Sequence, residues 1–175
     1  MDVQAEKKIK DELSYLGVGP KIFVCISPFI LIFAIISFLF EPNFQFPIES
    51  FYLSMLGTVF LIIGIISFVY SEMILRKAFN ASQLLTTKIF AFIRHPLYAS
   101  MGLGILPGIL FILNSWLLFL ILPIYYLLVR IFIREEESYL ENKFGDKYVQ
   151  YKEKVNAFFP KFKNIKQIIL KIDNN

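Results

Sequence analysis

Long apolar runs alternate with short polar segments along most of this chain. Four such runs cover residues 21–40, 51–70, 97–113 and 116–133, and charged side chains occur only at or near their ends. A helix needs about 20 predominantly apolar residues to cross the hydrocarbon core of a bilayer. The pattern therefore predicts an all-α, polytopic membrane protein with about four transmembrane helices.

The third and fourth runs are separated only by Asn114 and Ser115, which predicts a tight helical hairpin. Inside the third run, Gly104 and Gly108 are four residues apart, a spacing that permits close helix packing. Pro107 predicts a kink at the same place, because proline removes a helical hydrogen bond.

The segment after the fourth run is polar but still patterned. Residues 134–144 read as a continuation of the fourth helix, and Gly145 predicts its break. Apolar side chains then recur at helical spacing on an otherwise charged segment, at Tyr148, Tyr151 and Val155. Pro160 is expected to end this second helix. Residues 134–160 are thus predicted to be helical and outside the membrane, and residues 161–175 to be a flexible tail.

Composition strengthens the membrane interpretation. Hydrophobic residues make up 57% of the 175 positions, and phenylalanine alone occurs 20 times. Soluble domains are usually about 45–50% apolar. The single cysteine, Cys25, excludes a disulfide within the chain and a cysteine cluster for zinc.

The basic residues predict the orientation. The loop at 41–50 has no lysine or arginine, whereas the N-terminal arm 1–20, the loop at 71–96 and the tail after residue 133 carry many. By the positive-inside rule, both termini and the loop at 71–96 are expected in the cytoplasm. The transmembrane domain then spans residues 21–133. The net charge of +4 reflects this topology signal, so a nucleic-acid partner is not expected.

A short motif, IRHPLY at residues 93–98, holds the only histidine of the chain. Pro96 is suited to the first position of a helix. The first free N–H groups of that helix would favour an anionic group of a ligand, with Arg94 and His95 beside it. The alternative is that Arg94 and His95 anchor a helix end at the membrane interface.

Three adjacent carboxylates, Glu135, Glu136 and Glu137, follow the fourth run directly. The predicted hairpin brings them to the same side of the membrane as Arg94 and His95. A basic helix start and an acidic helix end would then face one another, and a zwitterion with a carboxylate and an ammonium group could bridge them. The alternative is a solvated charged helix face.

The two motifs together resemble the isoprenylcysteine carboxyl methyltransferase family, which is related to the phospholipid N-methyltransferases. The resemblance rests on IRHPLY, the hairpin, and a tail reading EESYLENKFGDKYVQY from Glu136 to Tyr151. It covers roughly residues 84–160. It implies that S-adenosylmethionine is the cofactor and that the helices at 134–160 cap it.

The resemblance also implies roles for individual residues. Glu136 would hold the ammonium group of the cofactor, with Glu137 as the neighbouring candidate, and Phe90 would pack on its adenosyl group. Arg94, His95 and Glu136 are the candidate catalytic residues, with His95 orienting the cofactor or, for an ammonium acceptor, serving as base. The remaining positions that would line the cofactor site are Leu84, Leu85, Pro96, Leu97 and Tyr98.

The acceptor is less defined by the sequence. The prenylcysteine branch of the family has a substrate-binding arginine where this chain has Phe132, so the nearby Arg130 and Arg134 are the candidates for substrate binding. Methyl transfer mainly requires that donor and acceptor meet in line and away from water, so no metal is expected. The expected partner is a lipophilic small molecule or lipid in the membrane with a carboxylate, amine or thiol acceptor.

Two other functions remain open at this point. A membrane reductase of the sterol-reductase type has a similar C-terminal hairpin and acidic tail helix, but its NADPH cofactor is larger and needs more polar groups than this short chain offers. A non-catalytic lipid-binding membrane protein is the other possibility. Such a protein would be favoured by a pocket without charge between the Arg94–His95 pair and Glu136.

Overall fold

The computed structural model describes residues 17–161, so most of the predicted N-terminal arm and of the predicted tail lies outside the described residues. Within residues 17–161 the chain forms helices and no β-strand. The α-helices are α1 (Gly19–Leu39), α2 (Ser50–Asn80), α3 (Pro96–Ser100), α4 (Leu106–Ile112), α5 (Ile121–Phe144) and α6 (Asp146–Lys154). A π-helical turn joins α3 to α4, and short 3₁₀ helices at Lys88–Ala91 and Leu117–Leu120 precede α3 and α5.

Three helical segments are long and apolar enough to cross a membrane: Gly19–Leu39, Ser50–Asn80 and Leu117–Phe144. The fourth apolar segment, Pro96–Ile112, is shorter. The prediction of an all-α membrane protein is therefore confirmed. Large apolar side chains such as Phe23 and Ile66 are exposed on α1 and α2, which is what helices in contact with lipid tails present to their surroundings.

The shorter segment is interrupted by the π-helical turn at Met101–Ile105. Pro107 lies two residues after this turn, and it has no N–H to donate to the carbonyl of Leu103 one turn earlier. A widened turn accommodates the missing bond without breaking the helix. Pro107 thus disturbs the helix as its position predicts, and the disturbance takes the form of a π turn rather than a simple kink.

Close backbone contact joins α2 to the Pro96–Ile112 segment. A Cβ atom added to Gly104 would lie 2.5 Å from the Cα atom of Gly64, and one added to Gly108 would lie 2.7 Å from the backbone nitrogen of Leu61. Glycine is the only residue that fits at such distances. The close packing predicted from Gly104 and Gly108 is confirmed, and their partners are on α2.

Helix α1 packs along α5 instead. Val18, Ile22 and Ile26 are buried against an apolar face of α5 that includes Tyr125 and Val129. The turn between α4 and α5 adopts a left-handed conformation at Asn114, with φ of 49°. The hairpin therefore forms where the sequence predicts it, and it brings the start of α3 and the C-terminal part of α5 to the same end of the molecule.

Helix α6 ends at Lys154. The sequence predicted that the helix would continue to Pro160, so it is shorter than expected. Val155 is extended, with φ of −119° and ψ of 131°. The backbone after Val155 bonds to the IRHPLY motif. The carbonyl of Asn156 accepts a hydrogen bond from Arg94 N at 2.9 Å, and that of Ala157 accepts one from His95 N at 3.0 Å. The end of the described chain thus docks on the IRHPLY motif.

Candidate active site

A cavity of about 570 Å³ lies where α1, α2, α3, α5 and α6 meet. This volume is within the range of about 300–1,000 Å³ that is typical of small-molecule sites. Most of the residues that the sequence predicted for the site line it: Leu84, Leu85, Phe90, Arg94, His95, Pro96, Leu97, Tyr98 and Glu136. The motif before α3 and the acidic part of α5 therefore share one cavity.

His95 is held between two carboxylates. Its side chain is only 4% exposed, with Nδ1 3.6 Å from Glu136 Oε1 and Nε2 3.3 Å from Glu137 Oε1. Burial alone lowers the pKa of His95, but the hydrogen bonds and charges of Glu136 and Glu137 outweigh it, so the pKa is raised above its usual value. Each ring nitrogen thus faces a carboxylate, an arrangement that favours the protonated ring over the neutral one and makes His95 a poor proton acceptor.

Glu136 is the carboxylate that faces the cavity. Tyr98 donates a hydrogen bond from its hydroxyl to Glu136 Oε2 at 2.8 Å. His95 approaches the other oxygen of the same carboxylate. Its two oxygens thus have different partners, which fixes the plane of the carboxylate at the cavity wall.

Glu137 points to the other side, away from the lining of the cavity. Three basic side chains surround it: Arg94 Nη1 at 3.1 Å, His95 Nε2 at 3.3 Å and Lys152 Nζ at 3.0 Å. Lys152 also reaches Glu141 at 2.6 Å. Glu137 therefore ties the IRHPLY motif, α5 and α6 together, whereas the neighbouring Glu136 is presented to a ligand.

Three buried polar atoms in the cavity wall lack a hydrogen-bond partner among the described residues. They are Nε and Nη1 of Arg94 and the hydroxyl oxygen of Tyr148. Arg94 Nη1 is close enough to Glu137 for an ion pair but is not aligned for a hydrogen bond. Buried polar groups are rarely left unpaired. Arg94 Nε and the Tyr148 hydroxyl are therefore available to an anionic group of a ligand.

The other end of the cavity is apolar. Ile22, Phe23 and Ile30 of α1 and Phe68 of α2 contribute to it. Phe23 is 70% exposed on the outer surface of α1. The cavity thus runs from a charged end beside His95 to an apolar end between helices whose outer faces suit lipid.

The two arginines predicted to bind substrate do not share this cavity. Arg130 and Arg134 are exposed on α5, and neither lines the cavity. Phe132, which stands where the family has an arginine, packs against the core between α1 and α5.

Several residues of the site were not found from the sequence. Lys152 reaches Glu137 from another helix, and no local spacing indicates that contact. Lys143 lies 5.4 Å from the ring centre of Phe79, which connects α5 to the end of α2 at the cavity. Tyr148 was recognised as part of an apolar stripe, but its unpaired hydroxyl is a property of the folded structure alone.

The family model described as phospholipid methyltransferase matches residues 48–147, which is more than half of the chain. The match contains α2, the hairpin, Glu136 and Glu137. No curated protein sequence matches the chain.

Proposed function

The chain belongs to the phospholipid methyltransferase family, and on that premise we propose that it is a membrane methyltransferase that uses S-adenosylmethionine. The family membership indicates a methyltransferase with a membrane domain. The identity of the cofactor and the nature of the acceptor are the finer parts of the proposal. The observation that carries it is the cavity in which Glu136 meets His95 and Tyr98 beside two unpaired buried donors.

The residues of the cavity fit the proposed cofactor group by group. Glu136 would accept hydrogen bonds from its ammonium group. Arg94 Nε and the Tyr148 hydroxyl, both unpaired and buried, would hold its carboxylate. Phe90, buried in the wall, would pack on the adenosyl group. The Leu84–Leu85 backbone and the start of α3, from Pro96 to Tyr98, would complete that wall.

When bound, S-adenosylmethionine supplies an electrophilic methyl group on a sulfonium. The protein's part is to hold donor and acceptor in line and to exclude water. His95 contributes by orienting Glu136, because both of its ring nitrogens are directed at carboxylates. Helices α5 and α6 cover the site, and Glu137 with Lys152 holds that cover in place.

The apolar end of the cavity supports a lipophilic acceptor, such as a lipid or a membrane-soluble small molecule. An acceptor of this kind would reach the site from the bilayer between α1 and α2, where Phe23 and Phe68 line the cavity. A carboxylate, an amine or a thiol would suffice as the acceptor group. The exposed Arg130 and Arg134 are not part of the proposed site.

The proposed orientation places both ends of the described chain in the cytoplasm, together with residues 71–96, which the sequence predicted as a loop and of which residues 71–80 form the last turns of α2. It follows from the distribution of lysine and arginine. The cofactor would then enter from the cytoplasmic side, at the charged end of the cavity.

The proposal is tested by the thermal unfolding of the detergent-purified protein with S-adenosylmethionine, S-adenosylhomocysteine or NADPH. A ligand that binds only the folded state raises the melting temperature. At a ligand concentration of one hundred times its Kd, the free energy of unfolding increases by about 2.7 kcal/mol. We expect the first two ligands to stabilise the protein. Glu136→Gln should abolish this effect, whereas Glu135→Gln should not, because Glu135 is exposed and pairs with Lys21 outside the cavity.

Transfer of a labelled methyl group to phosphatidylethanolamine, to a prenylcysteine and to a lipophilic thiol would then identify the acceptor. Stabilisation by NADPH alone would refute the methyltransferase site and favour a reductase. Equal loss of ligand binding in Glu135→Gln and Glu136→Gln would refute the assigned role of Glu136.

A further inference from the structure

The chain just before α1 lies directly against the carboxylate of Glu136. Gly17 adopts a left-handed conformation, with φ of +57°, and a Cβ atom at this position would lie 2.8 Å from Glu136 Oε2 and 3.0 Å from the hydroxyl of Tyr98. The next residue, Val18, donates its backbone N–H to that hydroxyl at 3.3 Å. We call residues 17–21 the N-terminal strap.

The hydroxyl of Tyr98 has two partners with different roles. The ionised carboxylate of Glu136 can only accept, so the Tyr98 proton is directed to Glu136 Oε2, 2.8 Å away. A backbone N–H can only donate, so the hydroxyl oxygen of Tyr98 accepts from Val18. The strap therefore adds a second contact that fixes the position of the Tyr98 oxygen beside the carboxylate.

The strap is anchored independently of this contact. Val18 is 4% exposed and belongs to the core between α1 and α5. The Lys21–Glu135 ion pair on the outer surface is exposed on both sides and contributes little. The burial of Val18 therefore holds the strap, which forms a wall behind the carboxylate.

We propose that Gly17 and Val18 are positioning residues of the active site. They form the wall behind Glu136 and, through Tyr98, hold its carboxylate toward the ammonium group of the cofactor. The inference rests on the proposed function. It explains why residue 17 is a glycine, since a side chain there would occupy the space of Glu136 Oε2. It extends the site to a segment outside residues 48–147, the part of the chain that the family model matches.

The test is Gly17→Ala compared with a variant that is strained far from the site. Asn114, in the turn between α4 and α5, also has a positive φ, of 49°. It lies at the opposite end of the hairpin from Glu136 and does not line the cavity. Asn114→Ala therefore lowers stability through backbone strain and lost side-chain hydrogen bonds without changing the site.

The readouts are the Kd of S-adenosylhomocysteine, measured by calorimetry on the folded protein, and the melting temperature without ligand. We expect Gly17→Ala to weaken binding at least about tenfold, the loss typical of one charge-assisted hydrogen bond. Asn114→Ala should lower the melting temperature and leave the Kd unchanged. If Gly17→Ala does not fold, Tyr98→Phe removes the same link and is expected to weaken binding with an intact fold.

The outcomes separate the two proposals. Normal binding by Gly17→Ala, or by Tyr98→Phe where that variant is used, would overturn the role of the strap while the proposed function stands. Equal weakening in Gly17→Ala and Asn114→Ala would also overturn it, because a general loss of stability would then explain the loss of binding. Failure of the unmodified protein to bind S-adenosylhomocysteine would overturn both.

Discussion

Glu137 offers the most direct test of how the site is held together. Its side chain is 11% exposed, and its partners Arg94 and His95 are 10% and 4% exposed. Replacing it with glutamine keeps the shape and removes the charge. The buried Arg94 guanidinium and the His95 ring would then lose the carboxylate that they share inside the protein. The removal of one partner from a buried ion pair costs about 3–5 kcal/mol.

The lower end of that range applies here. His95 retains Glu136 as a second partner, and the Lys152 contact contributes little because that side chain is 38% exposed. We therefore expect Glu137→Gln to cost about 3 kcal/mol. For a chain of this size, 1 kcal/mol corresponds to about 2–4 °C in melting temperature, which gives a decrease of roughly 6–12 °C.

The assay is thermal unfolding of the ligand-free protein in detergent, followed by circular dichroism. Glu141→Gln is the matched control, because Glu141 also pairs with Lys152 but is 39% exposed. Exposed pairs contribute about 0–1 kcal/mol, so this variant should unfold within a few degrees of the unmodified protein. A decrease for Glu137→Gln no larger than that for Glu141→Gln would refute the conclusion that Glu137 joins the motif to the tail helices.

Two further predictions concern single groups of the site. The pKa of His95 is raised in the folded protein, so its contribution to stability is fully present below its ordinary pKa of about 6.5 and is lost as the pH rises through the raised value. Between pH 6 and 9 the melting temperature should therefore fall more steeply for the unmodified protein than for His95→Gln, and parallel curves would contradict this. Tyr148→Phe removes a buried hydroxyl without a hydrogen-bond partner, so it should weaken binding of S-adenosylhomocysteine without lowering the ligand-free melting temperature. Tyr151→Phe removes a 2.6 Å hydrogen bond to the Phe90 carbonyl and should lower stability by about 1 kcal/mol. A lower melting temperature for Tyr148→Phe than for Tyr151→Phe would be inconsistent with the structure.

The features that the sequence predicts well are those that depend on one helix or one turn. Apolar runs of spanning length predict the membrane helices, because burial in lipid requires that composition over that length. The two-residue link at Asn114 and Ser115 leaves no alternative to a hairpin, and the hairpin brings Arg94 and His95 to Glu136. The spacing of Gly104 and Gly108 predicts a close contact, although it does not identify Gly64 and Leu61 as its other side.

The features that the sequence leaves open depend on rotation and on distant contacts. Adjacent residues on a helix point about 100° apart, so either Glu136 or Glu137 can face the cavity, depending on how α5 is turned about its axis. That rotation is set by the packing of Val18, and of Ile22 and Ile26 of α1, against α5. The cavity-facing role of Glu136 is therefore a consequence of a core far from the motif.

Helix α6 and the residues that follow it also take part in the geometry of the site. His95 contacts Glu136 on one ring nitrogen and Glu137 on the other, so the carboxylate at the cavity and the carboxylate at the tail share one partner. The backbone of His95 is in turn fixed by the carbonyl of Ala157, which follows α6. A displacement of α6 would therefore move His95 and release Glu136. The orientation of the cavity-facing carboxylate thus depends on segments at both ends of the described chain, with Gly17 and Val18 on one side and Lys152 and Ala157 on the other.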